Sequence, residues 1–143
     1  MAPHLRLGAL GEAAAAQELC RTGLKVLFRN FQGPSGGELD LVCREGDVLV
    51  FVEVKTRRGE ELAAPSAAVN SEKQARLLDG AREWLKLLGD PDINFRFDIV
   101  EVLWPDPQSP RPAEIRHLRN CFAFPGNRPY QPKPPKPWER RTA

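Results

Sequence analysis

Val48-Leu49-Val50-Phe51-Val52-Glu53-Val54-Lys55 decides the fold and poses a problem in the same eight residues. β-Branched and aromatic residues dominate the run, which fits a central strand covered on both faces. Yet it also carries Glu53 and Lys55. Side chains two apart in a strand share a face, about 7 Å from each other. A charge buried there without a partner is costly, so the pair needs either a partner or a purpose.

Upstream, Glu38 to Cys43 reads as a second strand, joined to the first by the glycine-containing link Arg44-Glu45-Gly46-Asp47. That spacing predicts an antiparallel hairpin. A hairpin brings Asp40 beside Glu53, with Glu38 on the same face as Asp40. Two readings stay open. One is a structural ion pair, Glu53–Lys55 or Asp40–Lys55, at a strand end. The other is a cation site, because two carboxylates from adjacent strands offer hard oxygens suited to Mg²⁺ or Mn²⁺. A neighbouring lysine can orient or deprotonate a water, or stabilise phosphate charge. Metal-assisted phosphodiester hydrolysis uses that combination.

Further out, Gly8 to Thr22 is alanine-rich and predicts a helix with Ala15, Ala16, Leu19 and Cys20 on one face and Gly23 as its C-terminal stop. Glu12 falls on the apolar face at helical spacing, which turns a third carboxylate toward the sheet. The alternative is an N-terminal glutamate favoured by the helix dipole. Leu24 to Phe31 reads as a strand and Gln32 to Gly37 as a loop.

Downstream, Arg57 to Asn70 is irregular. Ser71 with Gln74 makes a capping-box pattern for a helix running to about Leu88, with Leu78, Ala81, Leu85 and Leu88 as its stripe. Phe95 to Trp104 is a further strand, and about Glu114 to Leu118 a short last one. Asp98 is expected to pair with Arg96 or Arg57 and buttress the sheet. Arg29, Arg57 and Arg58 are candidates for holding phosphates, against the plainer reading of exposed loop charges. His4 and His117 have no partner at ligand spacing. The order is αβββαβ with a short last strand: an α/β domain with a mixed central sheet and flanking helices.

The 143 residues, 41% hydrophobic and 28% charged, fit one globular domain rather than a disordered chain. There is no apolar run of about 20 residues to span a bilayer and no secretory leader pattern at the N-terminus, so no membrane partner is expected. Three widely spaced cysteines make no disulfide framework or zinc motif. Together these predict a reduced, cytoplasmic protein. After Phe124 the chain becomes proline-rich and basic, which predicts a domain over residues 1–124 and a flexible tail over 125–143. Of 21 basic and 19 acidic residues, five and one fall between Gly126 and Ala143, leaving 16 against 18 elsewhere. Basic character therefore resides in the tail, where Tyr130 and Trp138 are candidates to stack on bases.

Gly11-Glu12, Arg29-Asn30, Gly37-Glu38-Leu39-Asp40-Leu41-Val42, Phe51-Val52-Glu53-Val54-Lys55-Thr56-Arg57 and Arg96-Phe97-Asp98 resemble the YraN-like family of bacterial proteins. That family is placed in the restriction-endonuclease-like superfamily with the PD-(D/E)xK pattern, which includes archaeal Holliday junction resolvases. The likeness covers roughly Gly8 to Phe124. It implies a restriction-endonuclease-like αβββαβ core and a metal-dependent endonuclease acting on DNA, with branched or otherwise structured DNA among the candidate substrates. By motif, it implies metal binding by Asp40 and Glu53, catalysis by Lys55, and an accessory acid in Glu12. The proline before the motif aspartate is absent, and Leu39 stands in its place. Resolvase-like relatives often dimerise, so a homodimer is among the expected states. A domain that keeps the fold but only binds nucleic acid or another protein is the alternative.

Overall fold

The computed structural model describes residues 3–59 and 71–122. The expected domain boundary and basic tail lie outside the described residues, as do Tyr130 and Trp138. The first helix, α1, spans Pro3–Arg21. It starts ahead of Gly8 because proline fits the first turn of a helix, where its missing N–H is not needed. Gly23 ends it with φ +103°, while Leu24 N–H bonds to Leu19 O (2.9 Å) and Gly23 N–H to Cys20 O (3.2 Å), the paired bonds of a glycine-stopped helix.

Five strands follow: β1 (Lys25–Gln32), β2 (Glu38–Glu45), β3 (Val48–Arg57), β4 (Asn94–Leu103) and β5 (Glu114–Phe122), with α2 (Ser71–Leu87) between β3 and β4. They form one sheet in chain order. Every neighbouring pair is antiparallel except β3–β4. The parallel pair needs a crossover, which α2 supplies. The β2–β3 turn is tighter than the sequence suggests. Only Gly46 and Asp47 lie outside the ladder, with Gly46 at φ +61° in the first turn position.

Alternation along β3 splits the core. Val48, Val50 and Val52 pack with Ala15, Ala16 and Leu19 of α1, whereas Leu49 and Phe51 pack with Leu77, Leu78 and Ala81 of α2. The helices thus cover opposite faces, and β3 is buried on both, as its composition requires. The expected apolar stripe of α2 is corrected at its end. Leu88 is 49% exposed, because the helix stops at Leu87 and Gly89 turns the chain away with φ +81°. Trp84 instead covers Phe31 and Phe28 at ring-centroid distances of 5.3 and 5.5 Å.

The last strand is also longer than expected, reaching Phe122. Its polar residues hide the signal, since what holds them is β4. A register shift places Asn120 at φ +56° and lets Phe122 pair with Phe97, the rings stacked at 4.7 Å. Asn120 N–H donates to Asp98 Oδ1 (2.9 Å), His117 Nε2 bonds to Asp98 Oδ2 (2.7 Å), and Arg96 Nε reaches Asp98 Oδ1 at 3.0 Å. Arg96 also bonds to Glu45 of β2 (3.0 Å). Asp98 therefore does buttress the sheet, through Arg96 rather than Arg57. His117 has a partner that sequence spacing did not show.

Backbone sets the distance between α2 and β2. A Cβ on Gly37 would meet Gly80 Cα at 2.6 Å, and one on Gly80 would meet Leu39 Cγ at 2.9 Å. Glu83 also accepts hydrogen bonds from the N–H and hydroxyl of Ser35, tying the loop before β2 to the same helix. Because backbone cannot swing aside as a side chain can, Gly37→Ala is expected to lower stability by about 1–3 kcal/mol. Urea denaturation measures it, and an unchanged midpoint would show that the helix can retreat freely.

Candidate metal and nuclease site

The β2–β3 ladder fixes the position of the acids. Its paired residues run from Glu45↔Val48 to Leu41↔Val52 and stop there. Continued by one residue, the register sets Asp40 opposite Glu53. The strands part instead. Leu41 packs on the α1 side and Leu39, two residues earlier, on the α2 side, so β2 turns at Asp40. Val54 N–H points the same way as that of Val52, toward β2, and it donates to Asp40 Oδ2 at 2.8 Å. The aspartate side chain closes the fork where backbone pairing ends, and this holds its carboxylate against β3.

Alternation puts Glu53 and Lys55 on the α2 side with Phe51. Glu53 is 6% exposed. Burial, then the charge of Asp40, then a hydrogen bond shared with Asp40 push its carboxyl up to about 8, against an opposing pull from Lys73. Lys73, on the first turn of α2, places Nζ 3.4 Å from Glu53 Oε1 and 3.9 Å from Glu38 Oε2. Burial lowers its affinity for a proton, but Glu53, Asp40 and Glu38 outweigh that and raise it. The other oxygen, Glu53 Oε2, is buried with no hydrogen-bond partner among the described residues.

Gly11 brings the third acid in. A Cβ there would run into the hydroxyl of Thr56 on β3, so only glycine allows α1 to lie this close. The next residue is Glu12. Partial burial and the charge of Asp40 raise its carboxyl above the ordinary value, opposed by a hydrogen bond from Asn30 and the charges of Lys73 and Arg29. Asp40 thus interacts with Glu12 on one side and Glu53 on the other.

Lys55 is half-buried and its β4 partner is Glu101. Burial and nearby Arg57 make its ammonium easier to deprotonate, while Glu101 and Glu53 resist this. Glu101 is 3% exposed, and its Oε2 has no hydrogen-bond partner among the described residues.

Glu12, Asp40, Glu53 and Lys55 therefore converge on one end of β3. Arg57 stands near Lys55 and Arg29 near Glu12, whereas exposed Arg58 follows the strand end. Glu53 forms an ion pair with Lys73, a partner that lies on α2 rather than on the sheet. The sequence reading missed Lys73 and Glu101. Glu101 carried the same signal as Glu53, a charge inside the apolar run Ile99-Val100-Glu101-Val102. Lys73 carried a fainter one, a cation in the first turn of a helix, where the dipole disfavours it.

The donor set suits a hard cation that keeps water or substrate oxygens. Among the described residues the buried Glu53 Oε2 has no hydrogen-bond partner, and it belongs to a carboxyl group beside Asp40, which Val54 N–H anchors. No three His, Cys, Asp or Glu side chains among the described residues form a ready-made ligand group. This disfavours a closed all-protein cage. It matches the Mg²⁺ habit of using one or two carboxylates and leaving other positions to water and phosphate.

Elsewhere, the cysteines are free thiols, and burial pushes Cys43 up to about 12, which makes it inert. Among the described residues no helix is long and apolar enough to cross a membrane.

The cost of the site can be measured. Glu53 titrates near 4.5 when unfolded and near 8 when folded. The folded protein therefore holds the extra proton between those values, and stability falls as pH rises through that window. Glu53→Gln, neutral throughout, should match wild type near pH 4.5. By pH 8.5 it should be the more stable by a few kcal/mol, at most about 5. Urea melts in chelator at both pH values test this. An equal difference at both would show that Glu53 does not retain its proton.

A five-stranded mixed sheet with one helix on each face, in the order αβββαβ plus a final strand, is a restriction-endonuclease-like core. Residues 11–102 match the family described as "Uncharacterised protein family UPF0102". The chain belongs to that family, the YraN-like one that its motifs resemble. A UPF0102 protein of Rhodococcus jostii (strain RHA1) is 43% identical over 125 residues, covering 85% of this chain and 100% of the relative. One of Geobacter sulfurreducens is 42% identical over 116 residues, covering 81% and 88%. One of Streptomyces coelicolor is 44% identical over 114 residues, covering 79% and 85%.

Proposed function

We propose that the protein is a metal-dependent endonuclease that hydrolyses DNA phosphodiester bonds, with branched or otherwise structured DNA among the candidate substrates. The observation that carries this reading is the fork between β2 and β3. There Asp40 and Glu53 stand side by side, with Lys55 on the Glu53 face and Glu12 approaching from α1. A polar cluster this expensive, in the middle of the sheet, is what a reaction centre requires.

Asp40 and Glu53 would hold Mg²⁺ or Mn²⁺. When bound, such an ion polarises a phosphoryl oxygen and makes a bound water more acidic. Lys55 orients the attacking water and offers positive charge to the phosphate. Its partial burial favours proton exchange, and Glu101 holds it in line from β4. Glu12 adds negative charge beside Asp40, with Arg29 and Asn30 against it. Arg29, Arg57 and Arg58 hold backbone phosphates on either side of the scissile one, and the basic tail adds contacts of the same kind.

The test is incubation of the full chain with Mg²⁺ or Mn²⁺ and branched, single-stranded and duplex DNA, beside calorimetric titration of Mn²⁺. Cleavage that requires the ion supports the reading. DNA binding with no Mn²⁺ uptake would turn it toward a non-catalytic nucleic-acid-binding module on the same fold.

A further inference from the structure

Lys73 has no part in the reaction described above, yet it is the cation seated on the buried carboxylate. We propose that Lys73 is the built-in counter-cation of the Glu53 site, supplying the positive charge that a divalent ion later takes over and giving way when that ion enters. This rests on the reading that Asp40 and Glu53 bind such an ion.

Three observations point there. The ammonium bridges two carboxylates, Glu53 at 3.4 Å and Glu38 at 3.9 Å. Both distances are longer than those of well-formed N–H···O bonds, so the hydrogen bond to Glu53 is a stretched one that the lysine can give up. Second, Lys73 sits in the first turn of α2, at the positive end of the helix dipole, where a cation is disfavoured. Glu53, Asp40 and Glu38 attract it there, and an ion that takes up their charge weakens that attraction. Third, the side chain is 31% exposed, which leaves it a path to solvent. The Gly37–Gly80 contact fixes the helix against β2, so the side chain and not α2 does the moving.

Glu53 offers Oε2, which has no hydrogen-bond partner among the described residues, to the incoming ion while Oε1 faces Lys73. Two cations on one carboxylate repel each other. The lysine therefore offsets the negative charge of Asp40 and Glu38, and that of Glu53 once it gives up its proton, at the cost of weaker ion binding.

The experiment is calorimetric titration of MnCl₂ into the full chain, with thermal melts in chelator and in Mn²⁺, for wild type, Lys73→Met, Lys73→Arg and Asp40→Asn. Lys73→Met is expected to bind Mn²⁺ about tenfold more tightly and to gain more in melting temperature from Mn²⁺ than wild type does. Lys73→Arg, which keeps the charge, should behave as wild type. Lys73→Gln replaces Lys73→Met if the latter does not fold. Affinity unchanged or weakened in Lys73→Met, with wild-type binding intact and lost in Asp40→Asn, would overturn the counter-cation and leave the metal site standing. No Mn²⁺ uptake by wild type and Lys73→Met alike would overturn the metal site itself.

Discussion

Lys55→Ala is expected to abolish metal-dependent cleavage while leaving Mn²⁺ binding largely intact, and Asp40→Ala to abolish both. The two changes differ because the groups face different tasks. Asp40 closes the strand fork through Val54 N–H and, on the proposed reading, would also supply a ligand oxygen, so its loss would remove both the ligand and the anchor. Lys55 lies beyond Glu53 on the same face, where on the proposed reading it would act on water and phosphate. General acid–base assistance of this kind is worth about 10²- to 10⁴-fold in rate, enough to take a slow nuclease below detection. Gel assays on branched, single-stranded and duplex DNA measure cleavage, and calorimetry measures the ion. If Lys55→Ala cut as wild type does, Lys55 would have no catalytic role. If Asp40→Ala kept its Mn²⁺, the ligand set would lie elsewhere.

The largest loss of stability is expected from Asp98→Ala, about 3–5 kcal/mol, the cost of breaking a buried charged network from one side. Asp98 is fully buried and takes hydrogen bonds from Arg96, His117 and Asn120 N–H. Burial pushes its carboxyl up, but these donors together outweigh burial and hold it below the ordinary 3.8. A lowered carboxyl stabilises the fold above that value and ceases to do so as pH falls through the folded one. The deficit of the variant should therefore be full at pH 7 and shrink in strong acid. Melting temperature should drop by roughly 10 °C or more at neutral pH. A deficit under about 1 kcal/mol would mean that Arg96 and His117 find other partners in Glu45 and solvent.

Much of this was legible in the sequence because β3 is extreme. An apolar run interrupted by Glu53 and Lys55 reads as a central strand whose charges need a partner or a purpose, and the nearness of Asp40 follows from hairpin register. What could not be read was contact across α2. Lys73 meets Glu53 only because Gly37 and Gly80 allow the helix to approach, and no local pattern reveals that pairing. The extent of β5 was hidden for a related reason. Its residues are ordered by Asp98 on another strand, so His117 and Asn120 look like loop residues until their partner is known. Leu88 continues the apolar spacing, so the sequence extends α2 to about Leu88, one residue beyond its end at Leu87, where the turn at Gly89 exposes that side chain.

The single parallel pairing in the sheet has a consequence for how the chain is made. β1, β2 and β3 meander locally and can zip up as soon as they emerge, but β4 must wait for the whole stretch from Arg57 to Asn94 to follow. Until then β3, the most apolar strand of the protein, is an open edge, the kind that recruits other chains into aggregates. Glu53 and Lys55 stand on that edge. Charges on an exposed strand are a common guard against such pairing. The two side chains that burden the finished core would thus also guard the half-made one, and an apolar replacement of both should lower soluble yield even where it raises the stability of the folded protein.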